Sequence, residues 1–231
     1  MDIKVYNNYK KINISNTDKI DIDYINGVDC DFIVCERDTN DVNSIIALDN
    51  MGFFFADRLI TAQVPLNKIS ADKASLIRFN TAIDNDAIDD VKKIASLAFV
   101  RDRRFHLRRE YDMNFAAKII PEYVEEVFDD STEIIVTRIN NEIIGFIFLK
   151  KLTDNRCEIT LGAVHPKFQN LGASVSLYLY TSFYAVSQGY KTMIGKISSV
   201  NLNSLNMFLF LGARFSDVND IYILEKKDAI R

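Results

Sequence analysis

The segment VHPKFQNLGAS, Val164 to Ser174, carries the most specific chemistry in the sequence. An apolar run precedes it and an amphipathic run follows it, so its glycine and small residues mark a tight turn from a strand into a helix. The first N–H groups of a helix have no partner inside it, and the helix dipole adds positive potential at that end. Such an end binds anions, and Gly172, having no side chain, lets phosphate oxygens approach the backbone. A pyrophosphate is the expected ligand. A glycine ahead of a helix is also an ordinary structural turn, so the surrounding elements must decide between the two. A second charged feature is RDRRFHLRREYDMN, where Arg101, Arg103, Arg104, Arg108 and Arg109 surround Phe105 and His106. Cys30, Cys35 and Cys157 lack the spacing of a metal site and are expected to be buried, reduced thiols.

The elements that must hold the loop follow from hydrophobic periodicity. TEIIVTRI and EIIGFIFLKK are two strands joined at Asn140-Asn141, a pair that tolerates the positive φ of a hairpin turn. RCEITLGAV is a third strand, feeding the loop. The helix from about Gly172 carries Val175, Tyr178, Leu179, Ser182 and Val186 on one face and stops at Gly189. KTMIGKI is a further strand. Upstream, Ile88, Val91, Ile94, Ala95 and Ala98 recur at helical spacing behind Asp84 and Asp86, either of which can cap that helix. Phe115 to Phe128 is helical in pattern, with Pro121 expected to start or kink it.

Near the N-terminus, DFIVCE and NDVNSIIALDNMGFFFADRLITAQV read as strand, helix, glycine stop and strand. Asn203 to Leu224 repeats that grammar, with Gly52, Phe55 and Asp57 at the offsets of Gly212, Phe215 and Asp217. This suggests a duplicated half-domain. Between the repeats, Ile69 to Asp86 is polar and aperiodic and is the candidate boundary. The expected organisation is a smaller N-terminal α/β domain over residues 1–80 and a main domain over 81–231. The class is α+β, with a central mixed, mostly antiparallel sheet flanked by helices.

The chain has 231 residues, a net charge of −4 and 48% hydrophobic residues, as an ordinary globular protein does. No sustained basic field exists to hold a nucleic-acid backbone, so nucleic acid is not the expected partner. No apolar run reaches the roughly 18 residues of a membrane helix, and MDIKVYNNYKK lacks a secretory core. A cytoplasmic location without membrane contact is expected.

The pattern V-x-P-x-x-Q-x-x-G-A, set between strand and helix, resembles the coenzyme A signature of the GNAT acyltransferases, Q/R-x-x-G-x-G/A. It falls here on Gln169, Gly172 and Ser174, the last departing from Gly or Ala by a hydroxyl. SSVNLNSLNMFLFLGARF is similar to the family's N-x-x-(A/S)-x-x-x-Y-x-x-x-G, with Asn201, Ser204 and Gly212 in register and Phe208 where many members carry a proton-donating tyrosine. ASLAF, RRFH, EIIGFIFL and ITLGAVHPKFQNLGA together resemble the dTDP-fucosamine acetyltransferase type, whose members carry a partial GNAT-like N-terminal domain. The resemblance covers roughly residues 31 to 225, and it is thinnest in the N-terminal domain.

The resemblance implies a GNAT fold and an N-acyltransferase that takes acyl-CoA as co-substrate, without a metal. The implied acceptor is the amine of a dTDP-linked amino-dideoxysugar; a peptide, polyamine or other small amine, or a decayed acyl-CoA-binding protein, are the rival readings. Coenzyme A would be held by Ala163, Val164, Gln169, Asn170, Leu171, Gly172, Ala173, Ser174, Asn201 and Phe208, with the backbone N–H near Val164 facing the oxyanion. As a core aromatic, Phe208 has no proton to give, so Tyr222 or water would serve as acid. Glu158, which a period of two puts on the face of Val164, and His106 are the candidate bases. Arg104, Phe105 and His106 would meet the nucleotide sugar, the arginines neutralising its phosphates. A homodimer through exposed strand edges is the expected assembly.

Overall fold

The computed structural model describes residues 2–6, 9–14, 22–105, 113–153 and 155–226. The chain opens with β1 (Asp2–Tyr6), β2 (Tyr9–Ile14) and the short helix α1 (Ile22–Gly27). β3 (Phe32–Asp38), α2 (Val42–Asn50) and β4 (Phe54–Pro65) follow, and two 3₁₀ turns lead to β5 (Asn80–Ile83). Next come α3 (Ile88–Ala98), α4 (Met113–Val127), β6 (Thr132–Ile139), β7 (Glu142–Thr153) and β8 (Arg156–Val164). α5 (Ala173–Ser187), β9 (Thr192–Ser198), α6 (Leu202–Phe210) and β10 (Arg214–Glu225) complete it.

The strands make one mixed sheet in the order β1-β2-β3-β10-β4-β9-β8-β7-β6-β5. Among the described residues, only β2–β3 and β8–β9 pair in parallel. Its two faces alternate along each strand, as a period of two requires. Ile134, Val136, Ile221 and Ile223 pack under α3 and α4, whereas Ile135 packs under α5 and Tyr222 joins a smaller cluster with Leu48 of α2. The α+β class, with a mixed and mostly antiparallel sheet flanked by helices, agrees with the sequence expectation.

The hairpin at Asn140 and Asn141 has φ of 49° and 69°, the positive values that its two asparagines tolerate. Three local expectations need correction. The polar stretch before residue 86 hides an edge strand, β5, which pairs with β6. α3 begins after Ala87 with no side-chain cap, because Asp84 pairs with Arg138 and accepts from the N–H of Asp86. Pro121 does not start α4 but sits inside it, where Phe115, Ala116, Ile119, Ile120 and Val124 bury one face and hold the helix through the lost hydrogen bond. The buried face of α5 is also rotated from the expected stripe: Leu179 and Ser182 are inside, but Val186 is exposed.

The same strand–helix–strand order occurs twice in the chain, near its start and near its end. Phe32–Asp38, Val42–Asn50 and Phe54–Pro65 match Thr192–Ser198, Leu202–Phe210 and Arg214–Glu225, every bound displaced by the same 160 residues. Asp41 caps α2 by accepting from the N–H of Ser44, as Asn201 caps α6 through Ser204. Gly52 and Gly212 end the two helices at φ of 86° and 84°, where a side chain would be strained. The two units exchange strands. β10 lies between β3 and β4, and β4 lies between β10 and β9, so each unit's strands are separated by one from the other.

Candidate active site

β8 and β9 start as neighbours and then part. Their pairing runs from Arg156–Thr192 to Ile159–Gly195, after which β8 continues to Val164 and β9 to Ser198 without a common ladder. A cleft of about 810 Å³ opens in the gap. Gly162, Ala163 and Val164 form one wall, and Ser198, Asn201 and Ser204 lie across from them. At one end stand Gln169, Asn170, Gly172 and Ser174, at the other Asp57, Arg58, Arg101 and Asp102.

The loop end is built as the sequence requires. Gly172 has φ of 84°, and a Cβ placed on it would meet nothing within 4 Å, so the space beside its backbone is open. No side chain caps α5, which leaves its first N–H groups for an outside acceptor. Gln169 Nε2 donates to the carbonyl of Val164 at 3.4 Å and ties the turn to the end of β8. His165 Nδ1 accepts from the N–H of Lys167. An uncapped helix start facing open space is fitted to a diphosphate.

Of the expected cofactor residues, Ala163, Val164, Gln169, Asn170, Gly172, Ser174 and Asn201 line this cleft. Leu171 points to solvent and Ala173 is buried behind the loop. Phe208, 1% exposed, is core and packs on the ring of Tyr178 at 5.6 Å.

Two of the expected catalytic residues, Glu158 and Tyr222, are placed elsewhere. Between β7 and β8 the register passes from Phe148–Leu161 to Leu149–Ile159, leaving Thr160 as an extra residue. That bulge reverses the alternation, so Glu158 and Val164 do not share a face and Glu158 is not in the cleft lining. Burial raises the Glu158 carboxyl, opposed by Lys196 and Lys150. Tyr222 is buried in the small cluster with Ile12, Cys35 and Leu48. His106 lies outside the described residues.

Of the expected sugar-contacting residues, Arg104 and Phe105 line a separate cavity of about 370 Å³. Phe105 is core there, its ring 5.0 Å from Tyr123. Arg104 donates from Nη2 and Nε to Asp102 at 2.5 and 3.0 Å, so its charge is already matched. Arg58 is matched likewise, by Asp220 at 2.6 and 2.9 Å. Cys30, Cys35 and Cys157 are buried thiols.

Two cleft residues went unnoticed as chemistry. Asp57 is 6% exposed, yet it borders the cleft; its Oδ1 accepts from Ser198 Oγ at 2.8 Å, and its Oδ2 has no hydrogen bond among the described residues. Burial raises this carboxyl above its usual range, and the Ser198 hydroxyl and Arg104 oppose that only in part. Tyr178 is the tyrosine of the lining, and burial raises its hydroxyl. The repeat drew attention to Asp57 but gave it no role; for Tyr178 only its place on the helix after the loop was a signal.

A family model described as the Acetyltransferase (GNAT) family matches residues 93–213. No curated protein matches the chain. Among solved structures, a functionally unknown conserved protein from Staphylococcus epidermidis superposes with a TM-score of 0.61 at 15% identity, covering 85% of this chain and 73% of that one. A GCN5-related glucosamine N-acetyltransferase region of a fungal multi-domain GH3 β-N-acetylglucosaminidase gives 0.63 at 10%, covering 96% and 30%. A tandem GNAT protein from the clavulanic acid biosynthesis pathway gives 0.52 at 8%, covering 84% and 64%. At these identities the likeness concerns the fold. Among the described residues no helix is long and apolar enough to cross a membrane.

Proposed function

We propose, since this chain belongs to the GNAT acetyltransferase family, that it moves an acyl group from acyl-CoA to the amine of a dTDP-linked amino-dideoxysugar. The observation that carries acyl transfer is the cleft itself, which joins an uncapped helix start with an open glycine to the gap between β8 and β9. The diphosphate of the donor would lie on the N–H groups at Gly172 to Ser174, and the thioester beside Ala163 and Val164. The amine attacks the thioester carbonyl directly, so no covalent enzyme is needed. Backbone N–H groups at the end of β8 would receive the oxyanion. Tyr178 is positioned to return a proton to the leaving thiolate, the role Phe208 cannot fill.

The amino-sugar acceptor rests on the sequence resemblance and on Arg101, an exposed guanidinium at the acceptor end without an ion pair among the described residues. The same end favours a second reading. With Arg58 and Arg104 matched by carboxylates and Asp57 beside them, a cationic polyamine or peptide amine also fits. The partial GNAT-like unit over residues 1–80, the transfer domain over 81–231 and a homodimer belong to the proposal. A thiol-release screen decides the acceptor: dTDP-amino sugars, a polyamine and a peptide amine, each with acetyl- and hydroxybutyryl-CoA. Turnover of the sugars above the other amines supports the first reading, and the reverse order replaces it.

A further inference from the structure

We propose that Asp57, brought into the cleft by the N-terminal unit, accepts the proton of the acceptor amine, an inference that rests on the acyl-transfer reading above. Its position follows from the exchanged strand. β4 pairs with β9 with Leu59 opposite Ser198, which sets Asp57 beside the end of β9, where the sheet has already opened. Ser198 Oγ donates to Oδ1 at 2.8 Å and fixes the carboxylate. Among the described residues Oδ2 has no hydrogen-bond donor, in a residue 6% exposed. A buried, unsatisfied carboxylate oxygen costs stability, so its retention calls for a use.

The groups around it are accounted for. Arg104 Nε is 3.4 Å from Oδ2 but hydrogen-bonds to Asp102; Arg58 donates its main-chain N–H to Oδ1 and turns its guanidinium to Asp220. Of the two carboxylates lining the cleft among the described residues, Asp102 is thus hydrogen-bonded to Arg104, whereas Asp57 Oδ2 meets that guanidinium only as an ion pair and keeps its hydrogen-bonding capacity. The other copy of the repeat gives the contrast. Asp217 holds the same place in the C-terminal unit and is exposed to water.

In the step, an ammonium N–H passes its proton to Oδ2, giving a neutral amine and a neutral carboxyl. The nitrogen lone pair forms the N–C bond at the thioester carbonyl, whose π electrons move to oxygen. The alkoxide collapses, the C–S bond breaks, and the thiolate leaves with the electron pair. The Tyr178 hydroxyl gives its proton to that thiolate and takes the second proton from nitrogen in its place, giving amide and free thiol, and Asp57 returns its proton to water.

The test compares wild type, Asp57→Asn and Ser198→Ala in thiol release from acetyl-CoA, with water alone and with the amines of the screen. Acetyl-CoA affinity is measured by calorimetry. Asp57→Asn is expected to lower kcat by about 10²- to 10⁴-fold with acetyl-CoA affinity unchanged. Its kcat/KM loses the acid limb shown by wild type. Ser198→Ala moves that limb to higher pH, because the hydroxyl that favours the carboxylate is gone. A merely structural role would move neither limb. Wild-type kcat in Asp57→Asn, or an unmoved limb in Ser198→Ala, overturns the proposal; if Asp57→Asn does not fold, Ser198→Ala decides it. A wild-type chain that binds acetyl-CoA but releases no thiol fails the acyl-transfer reading, and the base with it.

Discussion

The tip of the Phe208 ring abuts the bare backbone of Gly195: a Cβ built on that glycine would stand 2.3 Å from Cζ. Gly195 is also the last β9 residue to pair with β8, so the aromatic from α6 seats where the sheet begins to open. Phe208 thereby supports the apex of the cleft from the core side.

Gly195→Ala should therefore destabilise the chain by about 1–3 kcal/mol through overpacking. The double variant Gly195→Ala/Phe208→Leu should recover part of that loss. Urea unfolding of the three chains measures it, and strictly additive losses would show that the two residues do not share this contact.

Gly172→Glu should weaken acyl-CoA binding at least tenfold, since it places a carboxylate at the helix start that the diphosphate needs. Gly172→Ala separates strain from charge: it costs roughly 1 kcal/mol of stability at φ of 84° but keeps affinity within a few-fold. Equal calorimetric affinities for wild type and the glutamate variant would reject the loop as the donor site.

Glu158→Gln should leave kcat within about threefold and the pH profile unchanged, because the bulge at Thr160 removes Glu158 from the cleft. A lost acid limb in this variant would restore Glu158 as the base.

Asp57 should also be a liability to the fold at neutral pH. Its folded carboxyl is raised above the unfolded value near 3.9, so the stability its proton contributes is present below that value and lost as pH rises through the folded one. Asp57→Asn keeps an acceptor for Ser198 without the charge. Its Tm should exceed wild type at pH 8, by roughly 2–4 °C per kcal/mol in a chain of this size, and the gain should vanish near pH 4. A difference constant across that range, read by scanning fluorimetry, would contradict a raised carboxyl.

What could be read from the chain beforehand was local. Gly172, Gln169 and the flanking apolar runs lie within one turn, and Asn140-Asn141 specifies its hairpin by itself. The face of Glu158 was misjudged because the bulge falls at Thr160, an ordinary strand residue that gives no glycine signal. Asp57 was missed for a different reason: its place depends on β4 entering the sheet beside β9, a contact far away in sequence. Arg104 looked like a free cation because its partner Asp102, only two residues away, reads as one more charge in a charged segment.

The interleaving of β4 and β10 also governs how the protein comes into being. A ribosome releasing the chain from its first residue has finished β3 and β4 long before β10 exists to fill the slot between them. At about 5–20 residues per second, the early unit waits on the order of ten seconds with two open edges. Throughout that interval it is a natural client for a chaperone, and severed from its later half it would have no finished form of its own.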